Sequence, residues 1–141
     1  MIRFRPAVPE DADRLVLRKE DLAEARLYGF KTPADGLRAS LEMTPMASAA
    51  EDSQGRLLAL WGVAVCGEHQ RPWLMCSEAA KGHPRALLDM AQKTVRWCKA
   101  SGRPTENFIG KASTSNRRFV QRLGFVIEPL PNPVFDRFYL P

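Results

Sequence analysis

The fold is decided by residues 72–125, which read PWLMCSEAAKGHPRALLDMAQKTVRWCKASGRPTENFIGKASTSNRRFVQRLGF. The apolar run at 73–77 predicts a buried strand, and Pro84 suits a first helical position, where its missing N–H would be unpaired anyway. A second strand at 106–111 and a second helix at 116–123 follow. This order implies a parallel or splayed strand pair with a right-handed crossover. We expect a ligand where the first strand ends and the helix begins.

Apolar residues recur at three- and four-residue steps along the first of these helices, which predicts one buried face. Trp97 falls outside this stripe, so we expect it to be exposed and able to meet a partner. Gly102 and Pro104 predict where the helix ends. The residues of the stripe are Leu87, Leu88, Ala91, Val95 and Cys98.

The rest of the chain adds short helices between residues 9 and 42, the first of which is expected to continue through Leu17, and a hairpin turn at 52–55. It also adds a polar loop at 67–71. The resulting order predicts one domain, residues 1–141, of the α/β (α+β) class. We expect a mixed, splayed central sheet of about 6–7 strands flanked by about 4 helices. Further strands are predicted at 2–5, 46–51, 56–65, 125–128 and 135–140.

Composition excludes several classes of protein. The three cysteines, Cys66, Cys76 and Cys98, are odd in number and lack CxxC spacing, which predicts reduced thiols in a cytoplasmic protein. Two histidines without paired cysteines predict no metal site. No apolar run reaches the roughly 20 residues of a membrane span, and the start of the chain leads directly into a strand, which predicts no signal peptide.

Positive charge is concentrated in residues 81–122, which carry ten Lys and Arg against two acidic residues. Such a segment could hold a polyphosphate ligand, nucleic acid or an acidic protein surface. Arg117, Arg118 and Arg122, together with Trp97, are the candidates for nucleic-acid or partner contact. The alternative is an ordinary solvated helix face, since aromatic residues are not interleaved with the charges.

The helix that ends in Leu123-Gly124-Phe125 resembles motif B of the GNAT N-acetyltransferase superfamily, and the whole order of elements is similar to that family. A closer resemblance is to the internal virion protein A-like group of GNAT-like proteins from short-tailed bacteriophages. This resemblance rests on four segments: LWGV at 60–63, PWLM at 72–75, HPRALL at 83–88, and the helix at 118–125 that ends in LGF.

The resemblance implies an acetyl-CoA cleft between the splayed strands, with the diphosphate bound at a helix N-terminus. The residues implied to bind the cofactor are Met75, Cys76, Gly82, His83 and Phe119.

Three positions depart from the family pattern. The diphosphate-binding turn of the family reads Gln/Arg-x-x-Gly-x-Gly/Ala, whereas residues 79–84 here read AAKGHP, so only Gly82 matches and Pro84 removes a donor. Val120 stands where many members carry a tyrosine that protonates the departing thiolate. Ser113 replaces a usual asparagine and, with Glu78, is a candidate catalytic residue. Cys76 with His83 suggests a thiol nucleophile, although a buried, inert cysteine fits the position better.

These departures favour a phage-encoded GNAT-fold protein that acts by binding, as a virion-associated or assembly protein in the infected bacterial host. Its partners would be phage structural proteins or a host protein. The alternative is an active acetyl-CoA-dependent N-acetyltransferase on a small amine or a protein lysine. Direct nucleic-acid binding is a third hypothesis, and the sequence leaves open whether acetyl-CoA binds.

Overall fold

Seven strands and five α-helices make up the computed structural model, which describes residues 1–141. A single 3-10 turn, Glu78–Gly82, joins the fourth strand to the fourth helix. In chain order the elements are β1 (Arg3–Pro6), α1 (Asp11–Arg14), α2 (Lys19–Leu27), α3 (Pro33–Glu42), β2 (Ser48–Glu51), β3 (Leu57–Cys66), β4 (His69–Cys76), α4 (Pro84–Ser101), β5 (Glu106–Gly110), α5 (Thr114–Arg122), β6 (Val126–Glu128) and β7 (Phe135–Tyr139).

The strands form two sheets with the orders β1-β2-β3-β4 and β5-β7-β6, and every ladder within them is antiparallel. The sheets meet where β4 and β5 begin. There Gln70 and Thr105 form a single parallel bridge, and the N–H of Gln70 donates to the carbonyl of Pro104 at 2.9 Å. No ladder continues beyond this bridge, so the two strands separate toward their carboxyl ends. The predicted α+β class and splayed sheet are confirmed.

Side chains hold the two strands together at this closed end. Gln70 is 1% exposed. Its side-chain amide nitrogen, Nε2, lies 2.9 Å from the carbonyl oxygen of Cys98 and 2.8 Å from the hydroxyl oxygens of Ser101 and Thr105. The amide nitrogen of Asn107 on β5 donates to the carbonyl oxygen of Pro72 on β4 at 2.9 Å. The side-chain amides of Gln70 and Asn107 therefore find hydrogen-bond partners where the sheets join, as buried polar groups need.

Helices cover both faces of the first sheet. On one face, Met90 of α4 belongs to the same core cluster as Trp61 of β3. On the other face, Leu37 of α3 belongs to a cluster with Leu60, the neighbour of Trp61. Successive strand residues point to opposite faces, so these clusters are two layers separated by the sheet. Fully burying a side chain such as Leu60 contributes ~2 kcal/mol.

The predicted ends of α4 are confirmed by the structure. Pro84 occupies the first turn of the helix, and Gly102 ends it in the left-handed region with φ 72°. The predicted exposure of Trp97 is also observed, since its side chain is 58% exposed.

Three element boundaries differ from the predictions. The first helix was expected to continue through Leu17, but it ends at Arg14 because Leu17 pairs with Ser77 in an isolated antiparallel bridge. β4 begins at His69, inside the predicted polar loop, because its ladder with β3 extends to the pair Cys66–His69 and because Gln70 finds buried partners in distant parts of the chain. The helix after β5, α5, begins at residue 114 rather than at the predicted 116, and no side-chain hydroxyl caps its N-terminus.

No helix combines the length and the apolar character that a bilayer crossing would require.

Candidate functional site

The widening gap between β4 and β5 leaves backbone groups of β4 facing away from the sheet. The N–H of Ser77 donates to the carbonyl of Leu58, so odd-numbered residues here bond to β3. The even-numbered residues Pro72, Leu74 and Cys76 therefore turn their backbone groups toward β5. This register also explains how Pro72 fits inside a strand, because no ladder bond needs an N–H at that position.

Two of these three residues find partners within the chain. The carbonyl of Pro72 accepts from Asn107. The N–H of Cys76 donates to the carboxylate of Asp21 at 2.7 Å, and its carbonyl accepts from the N–H of Arg18 at 2.8 Å. The N–H and the carbonyl of Leu74, which is half-buried, have no partner. Leu74 thus offers one donor and one acceptor inside the gap.

A cavity of about 290 Å³ occupies the gap, and Leu74 lines it. Leu87 and Met90 line it from the α4 side, whereas Glu24 and Tyr28 line it from α2. The cavity therefore lies between the strands and is lined from both α4 and the α2 region.

A second cavity, of about 490 Å³, adjoins the first at the beginning of α4. The two cavities share Arg18, Leu87 and Phe119, so they form one continuous groove. No acidic residue lines the second cavity. Its four basic lining residues are Arg18, Lys81, Arg85 and Arg122.

These four basic side chains are not equally available to bind a ligand. Lys81 forms ion pairs with Glu20 at 3.2 Å and with Glu78 at 3.0 Å. Arg18 is also paired, through Asp21. Arg85 and Arg122, in contrast, form no ion pair with the rest of the chain. These two side chains are the charges available to an anion in the second cavity.

The N-terminus of α4 adds uncapped backbone donors at the same place. The residue before the helix, His83, makes no side-chain cap, and the first helical bond runs from the N–H of Leu87 to the carbonyl of His83 at 3.2 Å. The N–H groups of Arg85 and Ala86 precede that bond and are left without helical partners. The positive end of the helix dipole favours an anion here.

Gly82 lies just before this helix, and the chain itself does not require a glycine there. Its φ lies outside the left-handed region, and no atom of the chain lies within 4 Å of where a Cβ would stand. The open space at this position is compatible with the close approach of a ligand to the backbone.

The structure brings some of the predicted cofactor residues together. Met75 and Cys76 line the first cavity, and Phe119 lines both. Gly82 and His83 lie between residues that line the second cavity but do not line it themselves. Burial raises the pKa of the Cys76 thiol to about 12, so it stays protonated at neutral pH and is a poor nucleophile.

The candidate catalytic residues lie outside both cavities. Ser113 precedes α5, where its carbonyl accepts from the N–H of Arg117 at 2.9 Å. Glu78 is exposed, accepts from the N–H of Lys19 at 3.0 Å, and pairs with Lys81. The hydrogen bond from the N–H of Lys19 is the largest physical cause that holds the pKa of Glu78 below its usual value.

The candidate partner-binding arginines have different surroundings. The guanidinium of Arg117 lies 2.8 Å from a carboxylate oxygen of Asp136, so it is held by an internal ion pair rather than free for nucleic acid. Lys111 and Arg117 together lower the pKa of Asp136 to about 2. Arg118 is exposed without an ion pair, whereas Arg122 lines the second cavity.

Sequence reasoning missed the part of the site that α2 provides. Asp21 and Glu24 are the buried residues of this helix, at 3% and 7% exposure. Asp21 bonds to β4 at Cys76, and Glu24 accepts from the N–H of Gly110 on β5 at 2.7 Å. One helix therefore ties both strands across the gap. The sequence feature that could have indicated them is a pair of acidic residues three positions apart in a helix that has no clear apolar stripe.

No group of three or more His, Cys, Asp or Glu side chains is placed to hold a metal ion.

Comparison of the sequence with protein-family models and with curated proteins finds no match. Solved structures do match. One, assigned as a phosphinothricin N-acetyltransferase, shares 16% identity over 99% of this chain and 98% of its own, with a TM-score of 0.69. A Bacillus subtilis acetyltransferase in complex with CoA shares 14% identity over 99% and 98%, with a TM-score of 0.63.

A third structure is the GNAT-superfamily phosphinothricin acetyltransferase of Sinorhizobium meliloti in complex with acetyl-CoA. It shares 15% identity over 99% of this chain and 88% of its own, with a TM-score of 0.66. At such low identity the likeness concerns architecture alone. The chain has the GNAT fold, as the resemblance implied.

Proposed function

We propose that this protein binds acetyl-CoA in the groove between β4 and β5 and transfers the acetyl group to an amine. The observation that carries the proposal is the unpaired N–H and carbonyl of Leu74 inside a cavity that opens onto a basic pocket at the start of α4. The structural neighbours reported above are all acetyltransferases, which supports this reading over a role in virion assembly.

The residues present fit such a group. An amide-containing arm needs one backbone donor and one acceptor along the gap, and Leu74 supplies both. Phosphates need positive charge and free N–H groups, which Arg85, Arg122 and Ala86 supply. Pro84 removes one donor of the family's turn, but the two N–H groups that follow it remain.

When bound, acetyl-CoA would supply an acyl group already activated as a thioester. The N–H of Leu74 is the free donor for a carbonyl oxygen held in the gap, and a fixed donor of this kind stabilises developing negative charge. Val120 cannot donate a proton to a leaving thiolate. Because an ordinary thiol has a pKa of about 8.5, its thiolate can leave without an acid, at a lower rate.

Calorimetry of CoA and of pantetheine, which lacks the phosphates, tests this proposal. Arg85→Ala should weaken CoA binding about tenfold, which is ~1.4 kcal/mol, and leave pantetheine binding unchanged. Arg96→Ala is the matched control, because Arg96 is an exposed arginine of the same helix that lines neither cavity. Absence of CoA binding at millimolar concentration would overturn the proposal.

A second candidate is a phage-encoded, virion-associated or assembly protein that uses the same fold for binding only. The observation in its favour is Val120, which lines the cavity where the family resemblance implies a proton donor. The two candidates differ in turnover. CoA binding without acetyl transfer to any of a panel of amines would favour the second candidate.

A further inference from the structure

Glu24 differs from every other buried carboxylate of this protein. Five acidic residues are buried, and four of them lie within 4 Å of an arginine or lysine nitrogen. Glu24 has no cationic partner, and its one hydrogen bond comes from the N–H of Gly110. The four paired acids are Asp11, Asp21, Glu51 and Asp136.

An unpaired buried carboxylate is costly. Removing such a charge from water costs several kcal/mol unless a cation or several hydrogen bonds compensate for it. A single backbone N–H offsets only part of that cost. A buried carboxylate without a cationic partner therefore needs an explanation, and a ligand in the cavity that it lines is one.

The position of Glu24 puts its carboxylate in the lining of the cavity proposed to hold the reaction site. Its carboxylate is bonded to β5 and lines the same cavity as Leu74, whose free N–H belongs to β4. Seven aromatic side chains line the cavity as well, three of them from β4, from β5 and from the end of α2, and aromatic rings attract cations. These three rings belong to Tyr28, Trp73 and Phe108.

The charges of this cavity also limit the substrate. Arg18 is the single cationic residue that lines it, and its guanidinium Nε lies 3.1 Å from Asp21. No free cation therefore lines this cavity to bind a carboxylate on the acceptor, whereas Glu24 is available for an ammonium group. Arg71 lies outside the lining, with its guanidinium over the Phe108 ring at 5.2 Å from the centroid.

We propose, on the basis of the proposed function, that Glu24 binds the ammonium group of the acceptor and takes its proton, and that the acceptor is an apolar primary amine without a carboxylate. Glu24 takes one proton, and the nitrogen lone pair forms the C–N bond to the acyl carbon as the C–S bond breaks. The C–S electron pair leaves on sulfur, to which the second amine proton passes. The products are the N-acetyl amine, the thiol and protonated Glu24.

Calorimetry of amine binding at saturating CoA tests this assignment without any turnover. The probes are 2-phenylethylamine and phenylalanine, which differ by one carboxylate. We expect wild-type protein to bind the amine at least tenfold more tightly than the amino acid. Glu24→Gln should weaken amine binding at least tenfold, because the glutamine carbonyl still accepts from Gly110 but carries no charge. Glu42→Gln, an exposed glutamate without an ion pair, is the matched control.

Thermal unfolding without ligand separates this role from a structural one. Glu24→Gln removes an unpaired buried charge and keeps the bond to Gly110, so its Tm should equal or exceed that of wild type. A Glu24→Gln variant that binds CoA and 2-phenylethylamine like wild type overturns the inference while the proposed function stands. Failure of wild type to bind CoA overturns the proposed function instead.

Discussion

The two ends of the β4–β5 pair are built in opposite ways. At the closed end, the Gln70 and Asn107 amides satisfy the polar groups between the strands. At the open end, α2 holds the same strands through single carboxylate contacts, and Leu74 keeps an N–H and a carbonyl without partners. The comparison indicates that one end supplies stability and the other leaves hydrogen-bonding capacity for a ligand. Substitutions at each end should therefore have different consequences.

The largest effect is expected at the closed end. Gln70→Leu should lower the free energy of unfolding by about 2–3 kcal/mol, because it removes a buried amide that bonds to α4 and to the start of β5. Urea denaturation measures this change, and Gln121→Leu on the exposed surface of α5 serves as the control. A loss below about 0.5 kcal/mol would show that Gln70 does not fix the junction.

An intermediate effect is expected at the open end, and on binding rather than stability. Leu74→Pro removes the free N–H without breaking a ladder bond, so it should weaken CoA binding about tenfold, ~1.4 kcal/mol. Leu74→Ala keeps the N–H and should bind CoA nearly as wild type does. Both substitutions shorten a side chain that packs on the first core cluster, so the free energy of unfolding of the proline variant should lie within about 1 kcal/mol of that of the alanine variant. Equal affinity of the proline and alanine variants would remove Leu74 from the site.

The smallest effect is expected for Asp136, whose ion pair with Arg117 holds α5 at the open end. Lys111 and Arg117 lower the pKa of Asp136 to about 2, below its ordinary 3.8, so the folded state favours the ionised form. This contribution is complete above about pH 4 and is lost as the pH falls toward 2. Urea midpoints between pH 5 and pH 2.5 should fall less steeply for Asp136→Asn than for wild type. Parallel curves would contradict the prediction.

The architecture was predictable because its signals are local. Pro84 and Gly102 mark the ends of α4 through their own backbone preferences, and the order of elements follows from apolar periodicity. The beginning of β4 was not predictable, because Gln70 looks like a loop residue until α4 and β5 surround it. α1 likewise ends early because the backbone around Leu17 pairs with the end of β4.

The site was predictable only in part. Met75, Cys76 and Phe119 follow from their positions on elements that border the gap. Asp21 and Glu24 were missed because an acid in a short helix is ordinarily exposed, and only the tertiary fold shows that these two are covered. The pairing of Arg117 with Asp136 joins residues from distant parts of the sequence, so no spacing could indicate it.

The attachment of α2 to both strands has a consequence for motion. Any separation of β4 from β5 that lets a bulky molecule enter must release the helix from Cys76, from Gly110, or from both. Those two amide protons should then exchange with deuterated solvent at the rate at which the helix detaches. The exchange rates of these two amide protons therefore measure how often the groove opens.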